Sequence, residues 1–319
     1  MKKKNVAVVC GGFSEEQNSS RESAKCVATA LRELGHAVSV IEYDENLIYN
    51  IKSAVPDIVF PLVQGKHHGD GAVQALLELI GIPYVGSRPC GAALINHKTI
   101  CKKIWRSENI LTPNYFEYSR SEFSKDSFEN FKNKLNEKNL SLPVVVKPPT
   151  QGNRFGMVFV QDESSFEEIE NSFHYDENLL VEEYVEGRFI TQGIAEINGV
   201  MTAFPPVEII DGSNKKFKMY PGGSAVRAHD LSPEQVSELN KTTIAAASLT
   251  GAEGFARLDY HLSGGKFYLL EINAVPGLIP GYSSMGECAA AAGYDFDEFI
   301  NLLLASAIKS KGGVVNEKS

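Results

Sequence analysis

Short apolar runs alternate with segments of helical periodicity along the first part of the chain. Residues 6–10 form an apolar run that ends at Gly11-Gly12, which is typical of a buried parallel strand. Apolar residues then recur at helical spacing over 20–34, and Gly35 follows as a candidate C-cap. The alternation continues with strands at 38–41 and 58–60 and a helix at 73–80. This order predicts a parallel sheet with helices on its faces.

The remainder of the chain is predicted to mix helices with strands that are not regularly alternated. The expected elements are a basic helix from Thr99, an exposed charged helix over 119–139, strands at 142–148, 157–160 and 179–185, and helices at 236–249 and 296–308. At about 100 to 200 residues per domain, the length suggests two or three domains. We expect an α/β parallel-sheet domain, 1–98, followed by a region of mixed α+β structure.

Composition and charge narrow the class of protein. The net charge of −9 argues against a nucleic-acid-binding surface, because phosphate neutralisation needs clustered lysine and arginine. The five cysteines stand singly, without a CxxC pair, which indicates a reducing compartment. No apolar stretch approaches the roughly 18 residues of a membrane span, and no signal-peptide segment follows the N-terminal lysines. We therefore expect a cytoplasmic protein that binds neither nucleic acid nor membrane.

The densest polar pattern lies on two predicted strands between residues 255 and 273. Arg257 and Asp259 alternate with apolar residues on the first strand, and Glu271 and Asn273 do so on the second. If the intervening hairpin loop centres on Gly265, residue 259 faces 271 and residue 257 faces 273. One face then carries two carboxylates, an amide oxygen and a guanidinium.

Such a face suits Mg²⁺, a hard cation that takes a few oxygen ligands and bridges to substrate phosphates. Asp259, Glu271 and Asn273 are therefore the predicted ligands. The alternative is a surface ion pair between Arg257 and Asp259 beside an exposed Glu271. The metal site is favoured because the strand runs directly into the turn 274–277, Ala-Val-Pro-Gly, which is typical of a turn that lines a site.

Two lysines and a loop form a second candidate site. Lys147 ends an apolar strand just before the glycine-bounded loop 151–156, where a compact positive charge can bind phosphate. On spacing alone, Lys98 and Lys147 are equally well explained as two unrelated surface lysines. The chain contains neither a P-loop nor a dinucleotide-binding fingerprint. His67-His68 suggests a metal site or a polar loop, and the lack of further histidines nearby favours the loop.

Several short motifs resemble those of the D-alanine–D-alanine ligase family in order and spacing, over about residues 5–305. In chain order they are Gly11-Gly12-Phe13-Ser14-Glu15-Glu16, Gly69-Asp70-Gly71-Ala72-Val73-Gln74, Val146-Lys147-Pro148, Val181-Glu182-Glu183-Tyr184, Arg257-Leu258-Asp259 and Glu271-Ile272-Asn273-Ala274-Val275-Pro276-Gly277. The resemblance implies an ATP-grasp fold with an N-terminal Rossmann-like domain, a central ATP-grasp subdomain over 99–186 and a C-terminal, catalytic subdomain over 187–319. It also implies a carboxylate–amine ligase that joins two amino acids through an acyl phosphate, and a place in peptidoglycan biosynthesis.

The resemblance also implies a role for individual residues. Glu16 matches the residue that holds the ammonium of the first amino acid, and Arg257 with the Gly277 amide matches the donors that stabilise the oxyanion. The implied cofactors are ATP and Mg²⁺ or Mn²⁺. Lys98 and Lys147 match the lysines that bind the ATP phosphates. The hinge that receives adenine corresponds to Glu182, Glu183, Tyr184 and Val185.

Some positions depart from the family pattern. Asn153-Arg154 stands where the family has two serines, so the Asn153 amide must replace the first serine in a substrate-binding triad, or the triad is lost. Phe189 stands where a ribose-binding glutamate is expected, and Glu186 is a candidate substitute. The family's flexible Lys-Tyr loop corresponds only loosely to residues 215–220.

The region after Gly277 differs most. The family has a Ser-Leu pair that binds the carboxylate of the second substrate, whereas here Tyr282, Ser283 and Ser284 supply hydroxyls. D-alanyl-D-alanine synthesis and the joining of another amino acid pair therefore remain equally open. A nucleotide-binding homologue without ligase activity and a kinase that forms an acyl phosphate without an amine acceptor are the other hypotheses. A homodimer is expected by analogy with the family alone.

Overall fold

The computed structural model describes residues 2–65, 69–210 and 224–311. The first elements in chain order are β1 Asn5–Cys10, α1 Gln17–Glu33, β2 Ala37–Glu42, α2 Leu47–Ala54, β3 Ile58–Pro61, α3 Ala72–Leu79, α4 Pro89–Ile95 and α5 Lys98–Ser107. The strands form a parallel sheet in the order β2-β1-β3. β1 is buried along nearly its whole length, as its apolar run predicts for a central parallel strand. The predicted α/β parallel-sheet region is confirmed.

A second sheet is antiparallel. Its region contains β4 Tyr115–Ser119, α6 Arg120–Phe123, α7 Phe128–Glu137, β5 Val144–Lys147, β6 Val158–Val160, α8 Glu163–Glu167, α9 Ile169–Ser172 and β7 Asn178–Glu183. The strand order is β4-β7-β5-β6. Because β7 lies between β4 and β5, its end is held on both sides. This arrangement positions the segment that follows β7.

The charged segment 119–139 folds as two helices, α6 and α7, so the prediction of one exposed helix was wrong. Ser119 and Ser127 explain the break, because each side chain accepts a hydrogen bond from the backbone N–H three residues further on. The second cap starts a new helix instead of continuing the first. That second helix also buries Phe131 and Leu135 in the core of this region.

The third sheet is the largest. Its region contains β8 Arg188–Ile197, β9 Val200–Ala203, β10 Val207–Ile210, β11 Ser224–Arg227, α10 Pro233–Leu249, β12 Phe255–Ser263, β13 Lys266–Asn273, α11 Ser284–Ala291 and α12 Phe296–Lys311. The strand order is β11-β10-β8-β12-β13, and β9 also pairs with β8. Residues of α10 share a core cluster with one face of β8, whereas α11 and α12 share a cluster with the opposite face.

The β12–β13 hairpin has the predicted pairing at the polar face. Arg257 lies opposite Asn273, and Asp259 lies opposite Glu271. The turn does not centre on Gly265 as expected; it is the two-residue turn Gly264-Gly265, with φ values of 54° and 76°. Such a turn offsets the ladder by one residue, and a β-bulge directly after Asp259 corrects the offset. The bulge therefore restores the register at the site.

The helices join the sheets into a continuous core. α1 of the first sheet packs on α12 of the third, where Val27 and Leu303 belong to the same buried cluster. α5 carries Trp105, which is fully buried and donates from Nε1 to the Ala246 carbonyl of α10 at 3.4 Å. The division at residues 98/99 and 186/187 remains a proposal, since α5 packs with the third sheet. None of the helices in the described part of the chain is long and apolar enough to span a membrane.

Candidate active site

A cavity of ≈ 910 Å³ opens between the first sheet, the end of β5 and the β12–β13 hairpin. Its walls come from the turn after β1, the loop after β5, the polar face of the hairpin and the segment that leads into α11. The structure thus brings together residues that are far apart in sequence. Of the residues predicted to form the site, those that line this cavity are Glu16, Lys98, Lys147, Asn153, Arg257, Asp259, Glu271, Asn273, Gly277, Tyr282, Ser283 and Ser284.

Asp259 lies at the centre of the polar face and is only 1% exposed. Arg257 donates to both of its oxygens, from Nε at 2.9 Å and from Nη2 at 2.7 Å. The Thr191 hydroxyl donates to Oδ1 at 2.6 Å, and the Asn273 amide donates to Oδ2 at 3.2 Å. The ion pair of the alternative interpretation is therefore present, but it lies in the cavity wall and not on an open surface.

Glu271, the cross-strand neighbour of that carboxylate, faces Lys98. The Lys98 Nζ lies 3.3 Å from Oε2 of Glu271 and donates to the Gln151 carbonyl at 2.6 Å, so it ties the hairpin to the loop after β5. Burial alone raises the pKa of Glu271, but the positive charges of Lys98, Lys147 and Arg257 bring that pKa below the usual carboxyl value. Glu271 is therefore ionised at neutral pH.

The oxygen donors of this face fit a hard divalent cation. Asp259 and Glu271 offer carboxylates side by side, and the Asn273 side chain turns its nitrogen toward Asp259, which leaves its oxygen available. Across the described ranges there is no group of three or more His, Cys, Asp or Glu residues that could hold a metal. Mg²⁺ needs no such group, since it takes one or two carboxylates and completes its shell with water and phosphate oxygens.

Glu16 reaches the cavity from the turn that precedes α1. Its carboxylate packs so closely on the loop after β5 that a Cβ at Gly152 would lie 2.5 Å from Oε1. Burial raises the pKa of Glu16, and nearby Lys98 partly opposes that rise. Within the described part of the chain no cationic side chain forms an ion pair with it, so the carboxylate is available to a ligand ammonium.

Asn153 and Arg154 follow in the same loop with φ values of 47° and 67°. Asparagine tolerates this left-handed conformation, which costs most other residues with a side chain about 1 kcal/mol or more. The Asn153 amide lines the cavity but makes no hydrogen bond to Glu16. The substrate-binding triad in which the Asn153 amide would join Glu16 is therefore not formed in this structure.

The turn after Asn273 is held by two serine hydroxyls. Ser23 of α1 accepts a hydrogen bond from the Leu278 N–H, and Ser283 accepts one from the Ile279 N–H, both at 3.1 Å. The Gly277 N–H makes no hydrogen bond to another described residue. Its amide therefore borders the cavity with a free donor, as an oxyanion site requires.

The three predicted acceptor-binding hydroxyls have different surroundings. Tyr282 is 81% exposed, whereas Ser283 is 9% exposed and its oxygen is already used by the Ile279 N–H. Ser284 is the first residue of α11, where the helix dipole favours a carboxylate. Of the three, Ser284 is thus the best placed to bind a carboxylate, and Ser283 serves the turn.

A narrow pocket opens beside the cavity, and Lys147 and Met157 line both spaces. The predicted hinge Glu182–Val185 forms one wall of the pocket, and apolar side chains of Val145 and Leu270 form others. His261 bonds the Val185 carbonyl through Nδ1, which fixes the hinge against β12. The Val185 N–H has no partner among the described residues. An apolar slot with one free backbone donor suits a purine base.

Lys102 is a residue that sequence reasoning missed. It was predicted only as part of a basic helix, yet its side chain is fully buried and its Nζ lies 2.9 Å from Oε2 of Glu182. A signal was present, because Lys102 falls on the same helical face as the buried Cys101 and Trp105. A lysine on an apolar face indicates a buried ion pair.

Other predictions differ from the structure or fall beyond it. Phe189 lines the large cavity, while its candidate substitute Glu186 is exposed and lines neither space. The loosely aligned segment 215–220 lies outside the described residues. His67-His68, for which a metal site and a polar loop were the two interpretations, also lies outside the described residues.

The fold and the cavity define an ATP-grasp enzyme, in which a narrow pocket lies between two antiparallel sheets and opens toward an acidic face. A family model described as D-ala D-ala ligase C-terminus matches residues 104–305. The chain belongs to the D-alanine–D-alanine ligase family, whose members are ATP-dependent carbon–nitrogen ligases. The resemblance noted in the sequence is thereby confirmed.

Individual relatives extend the match over nearly the whole chain. The D-alanine–D-alanine ligase of Moorella thermoacetica is 33% identical over 313 residues, which cover 95% of this chain and 99% of the relative. That of Carboxydothermus hydrogenoformans is 32% identical, with 96% and 99% covered. Among solved structures, the Coxiella burnetii ligase matches with a TM-score of 0.82 and 25% identity, over 98% of this chain and 96% of that one. The Bacillus anthracis ligase in complex with ATP matches with 0.79 and 26%, over 97% and 99%.

Proposed function

We propose that this protein joins two D-alanine molecules in an ATP-dependent reaction. The observation that carries the proposal is the cavity itself. In it a carboxylate and a backbone N–H that have no partner among the described residues converge with two lysines and an acidic face suited to a cation. Each of these groups matches one charge that the reaction presents or develops. The full-length similarity to D-alanine–D-alanine ligases supports D-alanine as the substrate.

In the proposed reaction, a carboxylate oxygen of the first D-alanine attacks the γ-phosphorus of ATP, and ADP leaves. The amine of the second D-alanine, after losing a proton, attacks the acyl carbon, and phosphate departs with the original carboxylate oxygen. Glu16 would hold the ammonium of the first substrate, since it is buried, ionisable and forms no ion pair with another described side chain. Arg257 and the Gly277 N–H would bind the oxyanion of the tetrahedral intermediate.

The nucleotide would occupy the narrow pocket and extend into the cavity. The base would lie against Glu182, Glu183, Tyr184 and Val185, and the phosphates would reach Lys147 and Lys98. Asp259, Glu271 and Asn273 would hold Mg²⁺, or Mn²⁺ in its place. A bound divalent cation neutralises negative charge on the transferring phosphoryl group.

A different second substrate is the other candidate, and the acceptor side of the cavity favours it. Asn153 does not engage Glu16, and Arg154 brings a positive charge to the cavity where the family has a serine. Ser283 is committed to its turn, so that Ser284 and the exposed Tyr282 remain to select the acceptor. These differences support an altered acceptor more than an altered nucleotide.

The decisive measurement is phosphate release with MgATP across single D- and L-amino acids and their pairs, with products identified by mass. D-alanine alone should give phosphate and D-alanyl-D-alanine. Release only with D-alanine plus another amino acid would assign the second candidate. ATP binding without turnover on any pair would instead identify a nucleotide-binding protein, and an acyl hydroxamate formed with a single amino acid and hydroxylamine would identify a kinase-like activity.

The homodimer also stays a proposal, and one surface supports it. α2 and α3 cover the same face of the first sheet, and large apolar side chains on their outer side are exposed. Tyr49 is 73% exposed, Val55 76% and Leu79 86%. A dimer contact that covers these helices would remove the three side chains from water. Light scattering should give twice the chain mass, and Leu79→Asp should reduce it to the monomer mass; a monomeric wild type would reject the proposal.

A further inference from the structure

Lys102 projects from α5 into the interior, where its side chain has no exposed surface. Its Nζ donates to the Thr112 hydroxyl at 2.5 Å, and Thr112 in turn donates to the Leu269 carbonyl of β13 at 2.7 Å. The same Nζ lies 2.9 Å from Oε2 of Glu182. A buried ammonium is costly to keep charged without such partners. This lysine is therefore held at one defined point beneath the nucleotide pocket.

Glu182 is shared between two lysines. Its second oxygen, Oε1, lies 3.3 Å from Nζ of Lys147, and the side chains of both residues are about 4% exposed. The three side chains thus form a buried row of alternating charge, with Glu182 between Lys102 and Lys147. Only Lys147, at its outer end, lines the large cavity. Together the three side chains carry one net positive charge, which Lys147 presents to the cavity.

The sharing of Glu182 between two lysines determines whether the charge of Lys147 is free for a ligand. A buried carboxylate needs a counter-ion, and Lys102 satisfies that need from the side away from the cavity. If Lys102 were neutral, Lys147 would be the remaining counter-ion of Glu182, and its charge would no longer be free for a ligand. We propose that Lys102 is a positioning residue of the nucleotide site, which neutralises Glu182 and so leaves Lys147 free to bind the phosphate chain. The inference relies on the proposed function for the identity of that nucleotide.

The surroundings of Lys102 add a dependence on pH. Burial lowers the pKa of Lys102 to about 8, although Glu182 on β7 raises it; Lys147 on β5 and Arg106 on α5 lower it further. The ring of Tyr115 on β4 lies 5.7 Å from Nζ. The ammonium therefore loses its proton in mildly alkaline solution, far below the pH at which an exposed lysine does. Loss of that proton has the same effect on Glu182 as removal of the charge by substitution.

The test measures binding of a non-hydrolysable ATP analogue with Mg²⁺ by calorimetry, at pH 7 and pH 9, with KM for ATP and kcat measured in parallel. The variants are Lys102→Met, which removes the charge, and Lys102→Arg, which keeps a positive charge at every accessible pH. The matched control is Lys103→Met, because Lys103 is the next residue of the same helix but is exposed and pairs with Glu117 on the surface.

At pH 7, Lys102→Met should weaken analogue binding and raise KM for ATP by about tenfold or more, because Lys147 must then neutralise Glu182, with little change in kcat. Lys102→Arg should keep most of the binding at both pH values, because its guanidinium stays charged and continues to neutralise Glu182. The wild type should show a similar loss between pH 7 and pH 9, whereas Lys102→Met should show none. The Lys103→Met variant should behave as the wild type.

Unchanged analogue binding in Lys102→Met, with only a lower melting temperature, would overturn the proposal and leave Lys102 a purely structural residue. If Lys102→Met does not fold, the wild type and Lys102→Arg still decide, since a flat wild-type profile from pH 7 to pH 9 contradicts the proposal. Failure of the proposed ligase reaction would appear separately, as analogue binding without peptide formation from D-alanine.

Discussion

In the described part of the chain, the buried carboxylates and ammonium groups of the site have partners of opposite charge, with Glu16 as an exception. Asp259 is neutralised by Arg257, and Glu271 by Lys98. Glu16 has a comparable degree of burial but no cationic partner among the described side chains. A buried carboxylate without a counter-ion is costly to the folded state. The first substrate's ammonium is the group that would offset this cost.

Glu271→Gln should reduce kcat/KM at saturating Mg²⁺ by about 100-fold or more, since the neutral amide is a poorer ligand for a hard cation. The midpoint of the Mg²⁺ titration should move to higher concentration in steady-state phosphate release. Glu238→Gln, on the exposed side of α10, is the control and should leave both values unchanged. Near-normal turnover of the Glu271 variant would remove this residue from the site.

Glu16 predicts a loss of first-substrate affinity on the acid side. Burial raises the pKa of Glu16, so protonation begins at a higher pH than for an ordinary carboxyl, and the ammonium loses its partner as the pH falls through that value. KM for the first amino acid should therefore rise as the pH is lowered from 7 to 5. Glu16→Gln should show a high KM that changes little with pH, while exposed Glu15→Gln should follow the wild type. Identical profiles for both variants would contradict the assignment.

At the scale of elements, the hairpin of β12 and β13 shows how local geometry sets the site. A two-residue turn and a bulge of one residue together decide which side chains face each other. Without the bulge, the polar set of one strand would meet the apolar set of the other, because strand side chains alternate with period two. The site thus depends on an irregularity that the alternating pattern does not reveal.

Two glycine substitutions, one in the hairpin turn and one inside α11, should have opposite effects on the stability of the protein. Gly265 has a φ of 76° and open space around its α-carbon, so Gly265→Ala adds only backbone strain and should destabilise the protein by about 1–2 kcal/mol. Gly286 lies inside α11, also with open space, so Gly286→Ala should stabilise it by about 0.5–1 kcal/mol. Urea unfolding of both variants beside the wild type measures the two changes. Equal effects would mean that the turn is not left-handed.

At the scale of the whole molecule, the cavity exists because the sheets meet closely. The Gln64 side chain, after β3, donates to the Val275 carbonyl at 2.9 Å and so links the first sheet to the turn beside the polar face. On the other side, Gly91 of α4 approaches Gly251 so closely that a Cβ would lie 2.0 Å from its carbonyl oxygen. Only glycine permits this approach between α4 and the turn after α10.

Gly91→Ala should therefore separate α4 from that turn and cost about 1–3 kcal/mol in stability, as overpacking usually does. Because α4 leads directly to Lys98, KM for ATP should rise as well. Thermal unfolding and steady-state kinetics measure the two effects. Ala93→Ser, on the exposed side of the same helix, should leave both unchanged. If Gly91→Ala had wild-type stability, the close approach would not exist in solution.

Much of the fold and of the site was predictable where the determinants are local. Periodicity predicted the first parallel sheet, and alternation predicted the cross-strand pairs of the polar face. It did not predict the shorter helices α2, α4 and α11, whose patterns span too few turns to stand out. Periodicity also predicted α6 and α7 as one helix, because the serine caps that separate them lie among charged residues and do not stand out in the pattern.

The sequence by itself determined the family and the residue types that the site requires, since short motifs and period-two alternation are local properties of the chain. Tertiary structure decided which charges are paired. It buried Lys102 under Glu182, separated the Asn153 amide from Glu16, and assigned Ser283 to a turn instead of a substrate. These outcomes depend on distances between segments that are far apart in sequence, and the energy of a charge depends on the partners and the burial that only the folded chain supplies.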